Sequence, residues 1–98
     1  MPPIEIATGI NKVYPNPFGS YARVTYSVAK DNSPVRLSVY NLRGELVRDL
    51  VSGFQGKDTY TTTWDCRDQQ GKTCGNGVYL MVLKAGNESY VKRTILIK

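Results

Sequence analysis

Short stretches of alternating apolar and polar residues, separated by turn-forming residues, are the feature of this sequence that most constrains its fold. Glycine, proline, asparagine or aspartate interrupts the chain at intervals of about 8 to 12 residues, which is typical of antiparallel β-sandwiches. No long segment has the i, i+3, i+4 and i+7 apolar spacing of an amphipathic helix. The sequence therefore predicts an all-β protein, an antiparallel β-sandwich of about seven strands.

The clearest strands are predicted at residues 22–28 and 35–41, where every second side chain is apolar. The turn between them predicts that they form a hairpin. Residues 46–51 are ambiguous, because their apolar positions also fit a short helix, but their shortness and flanking glycines favour a strand. A loop is expected at 52–58. Further strands are expected at 59–65, with Trp64 in the core, at 77–85, covered on both faces, and at the chain end, 90–98.

The size and charge of the chain exclude several classes of protein. At 98 residues it has room for one domain with a modest core. No apolar run approaches the roughly 20 residues that span a bilayer, so no transmembrane segment is expected. The net charge of +5 raises the question of nucleic-acid binding, but the 13 lysines and arginines are dispersed along the chain. Dispersed charge is typical of a solvated surface, and we expect no nucleic-acid partner.

The chain contains no histidine, which removes the commonest general base and the commonest metal ligand together. Its serines therefore lack an activating partner, and no pocket is evident that would tune a carboxyl group for acid–base chemistry. We predict that the protein is not an enzyme and needs no cofactor.

Cys66 and Cys74 are separated by a short loop, a spacing unlike the paired C-x-x-C sets of zinc sites. If the loop is the tip of a hairpin, the two residues face each other across its arms, and we predict a disulfide. A disulfide would imply an oxidising compartment. The alternative, two free thiols in a cytosolic protein, stays open.

Asp65 and Asp68 in the same loop are short carboxylates that can accept hydrogen bonds from backbone N–H groups. Together with loop carbonyl groups they are also a weak candidate for a calcium site, because Ca²⁺ prefers hard oxygen ligands. With two carboxylates alone, the structural role is favoured and no metal is predicted.

The sequence Tyr14-Pro15-Asn16-Pro17 is expected to be a stiff lead-in to the sandwich, because proline cannot donate to a β-ladder and holds the preceding residue extended. Phe18 is expected to fill the open end of the sandwich. Residues 1–12 lack the basic start and apolar region of a secretory signal, and we interpret them as a linker from a larger parent protein.

Five short blocks of the sequence, taken in their order along the chain, form a recognisable pattern. They read YPNPF, VTYSV, VRLSVYNLRGELVRDL, WDCRDQQGKTCGNGVYLMVLKAG and KRTILIK. Over residues 13–98 this pattern resembles the C-terminal sorting domain of type IX secretion cargo and the similar Ig-like domain of the flagellar hook-capping protein. The resemblance implies an Ig-like sandwich in which the motif residues are structural, with Gly77 allowing a close backbone approach. These residues are Pro15, Asn16, Pro17, Phe18, Gly44, Trp64, Gly71, Gly77 and Tyr79.

The resemblance also implies a function, that of a non-catalytic C-terminal sorting and anchoring domain of a larger exported protein. Its partners would be the upstream cargo, an outer-membrane translocon and a sortase-like protease that removes the domain. The protein would pass through the periplasm and reach the cell surface or the extracellular space.

The last strand is the candidate for partner recognition, because a strand at a sheet edge can accept a partner strand and its basic residues oppose self-pairing. The candidate residues are Tyr90, Lys92, Arg93, Ile95, Ile97 and Lys98.

Two other functions stay open. A domain of hook-capping type would pack against neighbours in an assembly, although a disulfide and a last strand at the chain end favour sorting. An Ig-like spacer or carbohydrate-binding module of an extracellular enzyme is the second alternative, in which aromatic side chains would stack on sugar rings. The aromatic candidates are Tyr21, Tyr40, Tyr60 and Tyr90.

Overall fold

The computed structural model of the protein describes residues 7–98. Its strands are β1 (Gly9–Tyr14), β2 (Ala22–Val28), β3 (Ser33–Asn41), β4 (Leu46–Gln55), β5 (Asp58–Trp64), β6 (Gly77–Ala85) and β7 (Glu88–Leu96). They form a three-stranded sheet in the order β1-β2-β5 and a four-stranded sheet in the order β4-β3-β6-β7, and all pairings are antiparallel. The architecture confirms the predicted all-β fold and is consistent with an Ig-like sandwich. Among residues 7–98, no helix is long and apolar enough to cross a membrane.

The core lies between the two sheets and is filled by the inward side chains of alternating residues. Trp64 at the end of β5 is fully buried, and its ring centroid lies 5.5 Å from that of Phe18 and 5.2 Å from that of Tyr79. The Trp64 indole N–H donates to the carbonyl oxygen of Arg67 at 2.9 Å, so its polar atom is satisfied as well. The predicted core position of Trp64 is confirmed.

The first strand begins earlier than the sequence predicted. The linker prediction covered residues 1–12, of which 1–6 lie outside the described residues. Gly9–Tyr14 forms β1 and pairs with β2, so the last part of the predicted linker belongs to the sandwich. A register shift between Ile10 and Lys12 breaks the alternation of β1, which explains why its pattern did not identify it as a strand.

The predicted hairpin between residues 22–28 and 35–41 is wrong, although both strands are present. β2 pairs with β1 and β5, whereas β3 pairs with β4 and β6 in the other sheet. The turn between them crosses from one sheet to the other and includes Asn32 at a positive φ of 54°. Each strand turns one face to the same core, so alternation alone does not distinguish a hairpin from a crossover.

The ambiguous segment at 46–51 is a strand, as its flanking glycines favoured. β4 continues to Gln55 and so includes residues 52–55, which were predicted to be loop. The pairing of β3 with β4 is interrupted by two register shifts. Such irregularities disturb the alternation of apolar and polar side chains, which accounts for the ambiguous pattern.

β6 is central in the four-stranded sheet but is covered on one face alone. Alternate residues from Tyr79 to Ala85 face the core and are buried, whereas Val78, Leu80 and Val82 between them are half-exposed. The prediction that both faces of this strand are covered is therefore wrong. Its continuous apolar run combines a core face with an apolar stripe on the outer face of the sheet.

Candidate functional site

The terminal strand β7 lies at one edge of the four-stranded sheet, with β6 as its neighbour. Its pairing with β6 runs without a register shift from Glu88, opposite Ala85, to Leu96, opposite Gly77. The backbone N–H and C=O groups of an antiparallel strand point alternately to its two sides. Half of the backbone groups of β7 therefore point away from β6.

The end of β7 is bound by the N-P-F segment (residues 16–18), which follows β1. The N–H of Phe18 donates to the carbonyl oxygen of Ile95 at 2.9 Å, and the N–H of Ile97 donates to the carbonyl oxygen of Phe18 at 2.9 Å. Phe18 thereby forms a parallel bridge with Leu96. The chain thus passes from the three-stranded sheet, where β1 pairs with β2, to the edge of the four-stranded sheet.

Asn16 makes a second connection to β7. Its Oδ1 accepts hydrogen bonds from the N–H of Ile95 at 3.1 Å and from the hydroxyl of Thr94 at 3.3 Å. The side chain of Thr94 is fully buried and needs a partner for its hydroxyl. The peptide bonds preceding Pro15 and Pro17 are both cis. The hydrogen bonds of Asn16 and Phe18 give the predicted lead-in a role that the sequence did not show, which is to hold the end of the terminal strand.

Replacing Asn16 with alanine is expected to lower the free energy of unfolding by about 1–3 kcal/mol, because the buried Thr94 hydroxyl and the N–H of Ile95 lose their acceptor. Asn87→Ala is the matched control, since Asn87 is exposed in the turn between β6 and β7, and its expected effect is within about 0.5 kcal/mol. Urea denaturation of both variants and the parent measures the difference. Equal stability of Asn16→Ala and the parent would contradict the role assigned to Asn16.

The first half of β7 has outward backbone groups that the N-P-F segment does not reach. Ile95 directs its N–H and C=O outward to that segment, and regular alternation places the backbone groups of Ser89, Val91 and Arg93 on the same side. We call these outward groups the open edge. In the part of the chain that the structure describes, no strand pairs with it.

Four of the predicted recognition residues are exposed along β7 and just beyond its end. Lys92 and Arg93 are exposed at the open edge, and the side chains of Ile95 and Ile97 are 39% and 55% exposed near the N-P-F segment. Val91, which the prediction did not include, is 60% exposed at the centre of the open edge. The alternation that places Arg93 on the outer face of the sheet also places Val91 there.

The other two predicted recognition residues are held by contacts within the domain. Tyr90 is half-buried, and its ring lies 3.8 Å from the position that a Cβ atom on Gly9 of β1 would take. The Nζ of Lys98 donates to the carbonyl oxygen of Cys74 at 2.6 Å, and its backbone N–H donates to Oδ1 of Asn76 at 3.0 Å. These contacts connect Tyr90 to β1 and Lys98 to the cysteine loop, so neither side chain belongs to the open edge.

Ion pairing is unevenly distributed around the sandwich. Within residues 7–98 the ion pairs are Arg36–Asp49 at 2.9 Å and Arg48–Asp65 at 3.0 Å, and each includes a residue of β4. The hydrogen bonds from Arg36 hold the pKa of the Asp49 carboxyl below its usual range. Neither ion pair involves β7, so the cations of the terminal strand are not neutralised within the described domain.

Asp65 and Asp68 stabilise their loop. Oδ1 of Asp65 accepts hydrogen bonds from Nη1 of Arg48 at 3.0 Å and from the backbone N–H of Arg67 at 3.2 Å. Oδ1 of Asp68 accepts from the backbone N–H groups two and four residues later, at 3.0 and 2.9 Å. Residues 7–98 contain no group of three or more acidic, cysteine or histidine side chains that could hold a metal ion. Both carboxylates therefore accept hydrogen bonds within the loop, and Asp65 also connects the loop to β4.

Cys66 and Cys74 are free thiols, so the predicted disulfide is not present. Their backbones pair, since the N–H of Cys74 donates to the carbonyl oxygen of Cys66 at 2.8 Å. The side chains differ in burial, because Cys66, at a φ of 62°, is buried in the core, whereas Cys74 is half-buried in the loop. Burial raises the pKa of both thiols, which lowers their reactivity at neutral pH.

The remaining motif residues shape turns and loops. Gly44 and Gly71 have φ values of 81° and 83°, a conformation that favours glycine. A Cβ atom on Gly77 would meet no atom within 4 Å, so the predicted close approach is wrong, and the φ of 153° accounts for glycine there. The hydroxyl of Tyr79 donates to the carbonyl oxygen of Gly75 at 2.6 Å and so connects β6 to the preceding loop.

The structure does not bring the tyrosines considered for carbohydrate binding together. Tyr60 in β5 stacks on Tyr26 with ring centroids 5.5 Å apart, and Tyr21 directly precedes β2 in the same sheet. Tyr40 and Tyr90 lie in β3 and β7 of the other sheet. The four rings therefore form no common platform for a sugar.

Two solved structures from Porphyromonas gingivalis have a similar fold. Dimeric latent PorU is 22% identical, with a TM-score of 0.71 over 90% of this chain and 9% of that chain. PorZ, described as an essential surface component of the type-IX secretion system, is 21% identical, with a TM-score of 0.62 over 92% of this chain and 12% of that chain. This chain thus spans a small fraction of either protein, and the likeness concerns the fold.

The family of the chain is shown by its sequence and not by the two similar folds. No curated protein matches the chain, and the predicted similarity to the flagellar hook-capping protein is not confirmed. The model of the secretion system C-terminal sorting domain matches residues 12–98, nearly the whole sandwich. The chain belongs to the family of secretion system C-terminal sorting domains.

Proposed function

We propose that this domain directs a larger protein, to whose C-terminal end it is attached, through an outer-membrane type IX secretion system. The family match over residues 12–98 is the observation that carries the proposal. The parent protein crosses the inner membrane by a separate signal, passes through the periplasm and reaches the cell surface or the extracellular space.

The domain acts by being recognised and has no catalytic role of its own. This agrees with the lack of histidine in the chain and with thiols whose pKa values are raised by burial. Its partners are the upstream cargo, the translocon and a sortase-like protease that removes the domain. The residues before β1 connect the cargo to the sandwich and provide the segment in which the protease cuts.

The terminal strand is the part of the domain that the translocon recognises. Its position at a sheet edge, the exposed Lys92 and Arg93, and the outward backbone groups of the open edge support this assignment. A partner strand that adds to such an edge gains backbone hydrogen bonds, and the side chains beside the edge determine which partner fits.

A reporter protein with an inner-membrane signal and residues 1–98 at its C-terminus tests the proposal. In a bacterium with a type IX system, the reporter is expected at the cell surface or in the medium, with the domain removed. The same reporter without residues 1–98, and the full fusion in a strain lacking the translocon, are expected to stay in the periplasm. Cell fractionation and the mass of the reporter measure both export and cleavage.

Retention of the full fusion in the periplasm, with the domain folded and a native cargo of the same host exported normally, would contradict the sorting role. The domain would then be a structural spacer of its parent protein.

A further inference from the structure

The open edge of β7 has a defined length, because the N-P-F segment occupies the rest of the strand. The outward N–H of Ile95 donates to Oδ1 of Asn16, and its outward carbonyl oxygen accepts from the N–H of Phe18. The N–H of Ile97 donates to the carbonyl oxygen of Phe18. The outward groups of Ser89, Val91 and Arg93 lie before this blocked part. A partner strand that adds to the intact domain therefore pairs with the Ser89–Arg93 segment and stops before Ile95.

The charges beside this segment identify the chemistry of the partner. Lys92 and Arg93 are exposed in β7, and Lys84, opposite Ser89 in the neighbouring strand, is exposed as well. Neither ion pair among residues 7–98 includes any of these cations. Glu88 is the acidic residue of β7, and it lies at the start of the strand. The surroundings of the open edge thus carry a net positive charge.

The same charges disfavour a second copy of this chain as the occupant. Two β7 strands paired edge to edge would bring Lys92 and Arg93 of each copy into the same short interface, and charged side chains along a sheet edge disfavour such self-pairing. An acidic strand of another protein has the complementary charge.

The apolar side chains beside the open edge define the second feature of the partner. Val91, at the centre of the open edge, is 60% exposed on the outer face of the sheet and lies opposite Val82 of β6. The half-exposed Leu80 belongs to the same outer stripe. An added strand with β-branched side chains on this face would extend the stripe and cover part of Val91.

We propose that the Ser89–Arg93 segment of β7 is a binding site for an extended acidic segment of the translocon, which adds to the four-stranded sheet as a fifth strand. The proposal rests on the sorting role and specifies the part of β7 that is used and the charge of its partner. The N-P-F segment sets the limit of the site, because it holds the end of β7 in the folded domain.

Peptide binding to residues 1–98 tests this site without the secretion system. The probe is a short synthetic peptide of alternating valine and glutamate, N-methylated at alternate residues so that it presents one hydrogen-bonding edge. Isothermal titration calorimetry is expected to give at least about tenfold tighter binding than for the matching valine–lysine peptide. The affinity for the acidic peptide is expected to fall as salt is added. Amide exchange is expected to slow at Ser89, Val91 and Arg93.

Two variants separate backbone pairing from charge. Val91→Pro removes an outward N–H without removing a hydrogen bond to β6, and is expected to weaken acidic-peptide binding at least about tenfold, while Val91→Thr retains binding. Arg93→Glu, at an exposed side chain, keeps the backbone intact and is expected to remove the preference for the acidic peptide.

Equal binding of the two peptides, or unchanged binding to Val91→Pro and Arg93→Glu variants that remain folded, would overturn the proposed site. Self-association of the domain through β7, detected by sedimentation and lost in Val91→Pro, would overturn it in favour of a second copy. Since these measurements use no translocon, they can fail while the reporter is still exported, which would leave the sorting role in place.

Discussion

Phe18→Ala is expected to lower the free energy of unfolding by about 3–5 kcal/mol, the usual cost of removing a large aromatic side chain from a core. The Phe18 side chain is 1% exposed, and its ring lies 5.5 Å from that of Trp64. The loss is a large fraction of the stability of a typical small domain, which is about 5–15 kcal/mol. The N-P-F segment depends on this anchor, so the contacts of residues 16–18 with β7 should weaken together with the core.

Phe54→Ala is the matched control for this experiment. The chain has two phenylalanines, and Phe54 on β4 is 71% exposed. Its replacement is expected to change the free energy of unfolding by less than about 0.5 kcal/mol. Chemical denaturation of both variants gives the comparison, and amide exchange at Ile95 and Ile97 shows whether the end of β7 becomes less protected in Phe18→Ala. Similar stability of the two variants would contradict the assignment of Phe18 as a core anchor.

The fold class could be predicted from the sequence because it depends on local patterns. Alternation identified β2 and β3, and the flanking glycines correctly favoured a strand for β4. Trp64 was placed in the core correctly, since it follows the same alternation in β5. The pairing of strands was predicted less well, because β2 and β3 face one core from different sheets and their patterns look the same as those of a hairpin.

The contacts of the N-P-F segment could not be predicted from the sequence. Asn16 and Ile95 are separated by 79 positions, and no local pattern indicates a hydrogen bond over that distance. The proline-rich motif showed that the backbone is restricted but not which strand it holds. The position of Val91 on the outer face could have been predicted from the sequence, because the alternation that places Arg93 on that face also places Val91 there.

The spacing of Cys66 and Cys74 correctly indicated that their backbones are close, but it did not predict the state of their side chains. The loop between Cys66 and Cys74 does bring their backbones together, at an N–H to carbonyl distance of 2.8 Å. Spacing does not fix side-chain direction or burial: Cys66, at a positive φ, is buried in the core, whereas Cys74 is half-buried. A disulfide requires a specific geometry of both side chains, which the sequence does not specify.

Val91→Pro is expected to reduce export of the reporter to the level seen without the domain, because the substitution removes the central N–H of the open edge and blocks addition of a partner strand. Deleting residues 90–98 is a less informative experiment. That deletion also removes the fully buried Thr94 and Leu96, and with them the residues that the N-P-F segment contacts. Loss of export would then follow from unfolding as well as from loss of recognition.

Val91→Thr is the matched control for export, since it keeps the backbone N–H and a β-branched side chain at the same exposed position. Thermal melting of the isolated variants tests whether both remain folded, which we expect because the outward N–H of Val91 makes no hydrogen bond to β6.

The role of the open edge in sorting is tested by the fraction of reporter released from cells that carry the parent domain, Val91→Pro or Val91→Thr. Release is measured in the same host and corrected for total expression. Release is expected with the parent domain and with Val91→Thr, whereas release with Val91→Pro is expected to be no higher than without the domain. Release of a folded Val91→Pro fusion at the parental level would contradict the central claim that the open edge of β7 is the sorting signal.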